Sequence, residues 1–188
     1  MARHDPSKAE LLGRGRRLVA RWCSLNGVEP PEVVEYPGRR ARFGACAYYR
    51  SGEIHVWREA CAAIGRGGRC WSYPGYVVDR TPYGVLAHEL GHHVDRAHGA
   101  GRIAGPEWRA ETAEKPLTGY CPNDNEWFAE LFRLYVTNPD LLRLLRPRVF
   151  VLLAERWPRQ AEARPWVEVL AGADRQIRAA ENKIRRAA

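Results

Sequence analysis

The chain has 188 residues, enough to bury the core of one domain, and its 45% hydrophobic and 28% charged residues have a globular balance. No low-complexity tract or internal repeat is visible, which excludes a fibrous or solenoid protein. Lys+Arg 30 against Asp+Glu 22 leaves a net charge of +8, nearly all of the excess as Arg, so a solvated basic surface is expected.

Residues 6–26 carry an amphipathic helical pattern. Asp5 stands as its cap, Pro6 suits the first turn, and Leu11, Leu12, Leu18, Val19 and Trp22 form a stripe that Asn26-Gly27 ends. Val28 to Arg42 holds three Pro and reads as a connector with one short strand. Phe43 to Tyr49 and Glu53 to Trp57 are the strands of a hairpin turning at Arg50-Ser51-Gly52. The Gly-rich stretch from Arg58 to Gly75 starts with a short helix, and Tyr76-Val77-Val78 reads as a further strand.

A strong helix opens at Thr81 as N-cap with Pro82 in its first turn. It buries Val85, Leu86, Leu90 and Val94 and stops at Gly99 and Gly101. Arg102 to Asn123 is loop-rich, with one short helix near 106–114. A second strong helix starts at Asn123 or Asp124 and runs to about Thr137, with Trp127, Phe128, Leu131, Leu134 and Tyr135 apolar. Asn138-Pro139 stops it. Short helices follow at about 139–145 and 147–156, and a last one at about 165–186. A helix and small sheet over 1–80, then helices over 81–188, define a single α+β domain.

The N-terminus lacks the apolar core of a signal peptide, and the longest strongly apolar run, Val149 to Ala154, is too short to span a bilayer. A cytoplasmic protein without membrane contact is expected. Cys23, Cys46, Cys61, Cys70 and Cys121 are odd in number and lack C-x-x-C spacing, which argues against a disulfide framework and a thiolate metal site. One bridge, such as Cys61–Cys70, stays open.

The chemistry concentrates in His88-Glu89-Leu90-Gly91-His92. Residues four apart on a helix lie about 40° apart around its axis, so His88 and His92 share a face. Two imidazoles there can hold one Zn2+, with Glu89 as general base toward a water. A catalytic zinc needs a third protein ligand, and two solutions stand in the sequence. His98 completes the ligand spacing of the metzincin peptidases, but Asp95 replaces their Gly and the chain has no Met besides Met1 for a Met-turn. The other solution is Glu126, four residues before Glu130 on an otherwise apolar helix. Carboxylates facing a core need a partner, so Glu126 suits a metal and Glu130 suits the outer N–H of a ligating imidazole. Both acids can equally project into solvent at a helix start, where negative charge is favoured.

His88-Glu89-Leu90-Gly91-His92-His93-Val94-Asp95, followed by Asn125-Glu126-Trp127-Phe128-Ala129-Glu130-Leu131-Phe132, resembles the gluzincin-type zinc peptidases of the anthrax lethal factor kind. The resemblance covers roughly residues 83–140. It implies a zincin-like fold: a small mixed sheet with an active-site helix, then a mainly helical C-terminal part. By position it implies His88, His92 and Glu126 as zinc ligands, Glu89 as base and Glu130 as support to a ligand. The family's tyrosine, a few residues before the ligand Glu, has its nearest counterpart in Tyr120, one residue closer to the Glu than in the family. A phenol there would donate to an oxyanion or a leaving amine. Asp95 can hydrogen-bond near the site or stay solvated, and His93 is not expected to be a ligand.

The expected activity is zinc-dependent hydrolysis of peptide bonds in a protein or peptide substrate. The substrate would be added to a sheet edge, at Glu53–Trp57 or Tyr76–Val78. Two other classes remain: a zincin-fold binding protein that no longer cleaves, and a basic nucleic-acid module. The last is disfavoured, because zinc-finger spacing, an RNA-recognition signature and a basic–aromatic cluster are all lacking.

Overall fold

The computed structural model describes residues 6–38, 45–63, 79–98 and 124–159. The expected strand at 76–78 and the helices near 106–114 and 165–186 lie outside these residues. Helix α1 spans Lys8–Asn26. Its start differs from the sequence expectation: the N-cap is Ser7, not Asp5, because Ser7 and Glu10 form a reciprocal capping box. Gly27 closes it in the left-handed conformation at φ 65°, where a side chain would be strained.

Strand β1 is Glu32–Glu35, in the Pro-rich connector. β2 (Ala47–Arg50) and β3 (Glu53–Val56) are the hairpin, joined by Ser51 and Gly52 with φ of 51° and 91°. Two successive positive φ values are what a two-residue type I′ turn requires. The sheet order is β1-β3-β2, with β1 parallel and β2 antiparallel to β3. Among the described residues the sheet is thus mixed and three-stranded, with β3 between β1 and β2. A single 3-10 turn at Arg58–Ala60 follows, as the short helix expected there.

Helix α2 spans Pro82–His98, α3 Asp124–Thr137, α4 Pro139–Leu145 and α5 Pro147–Arg156. Thr81 caps α2 by accepting the Gly84 N–H at 3.5 Å, and its own N–H donates to Asp79 Oδ1 at 2.9 Å. Asn138 closes α3 and caps α4, accepting the Leu141 N–H. The fold is α+β and mostly helical. Among the described residues no helix is long and apolar enough to cross a membrane.

One hydrophobic cluster runs from Leu11 in α1 to Trp157 after α5. At its centre the Trp22 and Phe132 rings meet edge to face at 4.9 Å, and Trp157 packs on both. The apolar stripes read from sequence on α1, α2 and α3 are the buried faces of those helices. α2 lies in the middle, against α1, the sheet and α3.

Two glycines set how closely α2 is embraced. A Cβ on Gly15 of α1 would meet Leu86 Cδ1 at 2.8 Å, and one on Gly91 would meet the Ala129 Cα at 2.7 Å. The second obstacle is backbone and cannot swing aside. Gly91→Ala is therefore expected to push α3 off α2 at a cost of about 1–3 kcal/mol, the range for overpacking a dense interior. A lowered Tm checks this; a Tm equal to wild type would mean the helices are not in backbone contact.

Candidate metal centre

The site lies where α2 and α3 touch. His88 and His92, one turn apart on α2, face Glu126 at the start of α3. His88 Nε2 is 3.1 Å and His92 Nε2 3.5 Å from Glu126 Oε2, and the three ligating atoms lie within 4.8 Å of one another. These three residues could hold a metal ion. Ligands about 2.0–2.1 Å from one tetrahedral ion stand roughly 3.3 Å apart, which matches both histidine–glutamate separations. His98 is the last residue of an unbroken α2. Six positions on, its backbone is about 9 Å further along the axis than that of His92. An unbroken helix thus lacks the sharp turn that a third-histidine site needs. Its side chain lies outside the described residues, as does the whole of Tyr120.

Glu130, one turn after Glu126 and fully buried, accepts from His88 Nδ1 at 2.8 Å. Arg133 grips the same carboxylate from the other side, Nε to Oε1 at 3.1 Å and Nη2 to Oε2 at 3.0 Å. The two-pronged geometry suits a planar guanidinium. Glu130 thus fixes the orientation of the imidazole and keeps its proton on Nδ1, leaving Nε2 turned to the ligand cluster.

The sequence argument missed Arg133. The signal was an arginine three residues after Glu130, in line with the apolar residues of the buried helix face. A buried Arg–Glu pair loses about 3–5 kcal/mol when one partner is removed. Arg133→Met is expected to lower stability by that order in chemical denaturation, and an unchanged midpoint would contradict the pairing.

Glu89, adjacent to His88, lies about 100° further round α2. It lines a cleft of about 250 Å³ with Tyr48, Tyr49, His92 and Glu126. Oε2 of its carboxylate is buried without a hydrogen-bond partner. Burial, opposed by His88 and His92, holds its pKa above the ordinary carboxylate range. A carboxylate with an unused oxygen, on the wall of a cleft that ligand residues also line, has the makings of a proton acceptor. Asp95 and Arg96 also line this cleft.

His93 points elsewhere, as expected. Its Nε2 donates to the Glu29 carbonyl at 2.7 Å, and its Nδ1 accepts from the Tyr49 hydroxyl at 3.2 Å. Tyr49 had no role in the sequence argument. Strand register brings it over α2, and no local pattern encodes that.

Burial disfavours charge on His88, but the hydrogen bonds to Glu126 and Glu130 outweigh it and push its pKa up to about 10. Burial raises Glu126 and Glu130 as well; the histidines on Glu126, and Arg133 with His88 on Glu130, overcome it and hold both at about 2. Without metal the site is thus an imidazolium clamped between two carboxylates. The His88 contribution to stability is complete below its ordinary value of 6.5 and lost as pH rises through about 10. The two carboxylates contribute above 4.5, and that part is lost as pH falls toward 2. Chelator-treated protein is expected to lose Tm as pH rises above about 6.5, and saturating metal to flatten the slope by replacing the proton. Thermal melts across that range, with and without metal, check this; equal slopes would contradict it.

Comparison with protein-family models, with curated proteins and with solved structures returns no match for this chain.

Proposed function

We propose that this chain is a zincin-like metallopeptidase of the gluzincin type, hydrolysing peptide bonds in a protein or peptide substrate. The observation that carries the reading is the joint placement of His88, His92 and Glu126 as one ligand cluster, with Glu89 on the adjoining cleft wall. His/His/Glu is a donor set that suits zinc, and such an ion supplies Lewis acidity and acidifies water toward a pKa of ~7.

The chain's own residues do the rest. Glu89 takes the proton of the attacking water on its unused oxygen and returns it to the leaving nitrogen. Tyr48 and Tyr49 of β2 line the same cleft as that carboxylate. Glu130 and Arg133 keep the His88 ring oriented. Tyr120 is the candidate donor to the developing oxyanion, by the resemblance alone.

The substrate edge differs from the sequence expectation. β3 (Glu53–Val56) is paired on both sides and offers no free edge, and Tyr76–Val78 is outside the described residues. Among the described residues the outer strand toward the cleft is β2. Because Trp57 N–H donates to the Cys46 carbonyl, alternation along an antiparallel pair turns the backbone groups of Ala47 and Tyr49 away from β3. An extended peptide would lie along that side of β2, over the ligand cluster.

Glu89→Gln is expected to retain zinc and lose turnover by 10²-fold or more, roughly the contribution of a general base. Glu126→Ala is expected to lose zinc, and His98→Ala to keep it. Metal analysis beside cleavage of a peptide library measures all three. Full activity in Glu89→Gln, or zinc loss in His98→Ala alone, would overturn the assignment; a zinc-loaded wild type inert toward peptides would favour a binding protein.

A further inference from the structure

The cleft beside the ligand cluster holds one charge that the hydrolytic chemistry does not use. Arg96 stands on α2 one turn after His92, so the two share a helix face and lie about 6 Å apart along its axis. Among the described residues lining the cleft it is the one Lys or Arg. Glu126 belongs to the ligand cluster, Glu89 is its neighbouring acid, and Asp95 already has a partner within the chain. Arg96 is exposed and forms no ion pair with a carboxylate of the described residues. Its own helix supplies none, because the positions three and four places before it are His93 and His92.

The guanidinium is nevertheless held in place. Its Cζ lies over the Tyr49 ring, 5.9 Å from the centroid, within reach of a cation–π attraction. That ring is itself fixed: its hydroxyl accepts the Gly52 N–H at 3.0 Å and donates to His93 at 3.2 Å. Stacking occupies the face of a guanidinium and leaves the N–H groups at its edge available to a carboxylate. An arginine ordered in this way loses less side-chain freedom on binding than a fully solvated one. The net charge of +8 draws acidic chains to the surface in general, and Arg96 gives that attraction a fixed place in the cleft. An extended peptide advances about 3.3 Å per residue, so the step from His92 to Arg96 spans about two residues.

We propose, resting on the reading of this cleft as a peptide site, that Arg96 selects substrates with an Asp or Glu side chain within about three residues of the scissile bond. The substrate carboxylate pairs with the edge of the stacked guanidinium.

The test measures binding as well as cleavage. Zinc-loaded Glu89→Gln protein is titrated with dansyl-labelled, end-capped, serine-rich peptides in which a single Glu is walked along the sequence. Matched peptides carry Gln or Lys instead, and wild-type cleavage of the same set locates the scissile bond. Glu at one position is expected to bind about fivefold tighter than Gln, the upper reach of one partly exposed ion pair, and added salt to erase the difference. In the same background Arg96→Gln removes the preference and Arg96→Glu transfers it to Lys. Arg17→Gln, which removes an exposed charge of α1 outside the cleft lining, leaves it intact. Equal binding of Glu, Gln and Lys at every position, tighter binding of Lys, a preference that survives Arg96→Gln, or no peptide binding at all overturns the proposal. A preference in binding without cleavage by wild type would sink the peptidase reading and leave this inference standing; cleavage without preference would do the reverse.

Discussion

Gly91 and Ala129 bring the backbones of α2 and α3 together without an intervening side chain. At that separation a histidine on one helix reaches a carboxylate on the other directly. His88 does so twice, to Glu126 at one ring nitrogen and to Glu130 at the other. A wider gap would need a bridging water at each position, and the ligand atoms would no longer converge. The same contact carries both acids into the protein interior, where an unpaired carboxylate is costly. Arg133 follows from that requirement: Glu130 is buried deeply enough to need a fixed positive partner besides the histidine.

The charges of the centre balance without metal. Glu126 and Glu130 are held anionic, Arg133 is cationic and His88 carries a proton, so these four groups sum to zero. A metal ion that takes the place of the His88 proton would enter beside carboxylates already held anionic, so part of its charge is met before it binds.

Much of this was legible in sequence because it is local. The i, i+4 pairs His88/His92 and Glu126/Glu130 encode their own faces, and the apolar stripes around them encode which face is buried. Asn26-Gly27, Thr81-Pro82 and Asn138-Pro139 mark helix ends by backbone chemistry within one turn. Ser7-Lys8-Ala9-Glu10 was equally readable, and a proline one residue earlier drew attention from it. What escaped was non-local. β3 is central only because Glu32–Glu35, among prolines and some 20 residues earlier, pairs with its outer side. The Tyr49 contact with His93 and the two-sided grip on Glu130 both depend on how elements dock, which periodicity does not carry.

Tyr49 joins two parts that could have been separate. Its hydroxyl accepts the Gly52 N–H at the hairpin turn and donates to His93 on α2, while the residue also lines the cleft. The wall of the cleft and the helix that carries His88 and His92 are therefore pinned together through one side chain. A slip of β2 by a single residue would exchange its two faces and withdraw that hydroxyl from His93 in the same movement. An insertion or deletion in this hairpin would thus disturb the turn and the helix at once, whereas substitutions at the cleft rim would leave both in place.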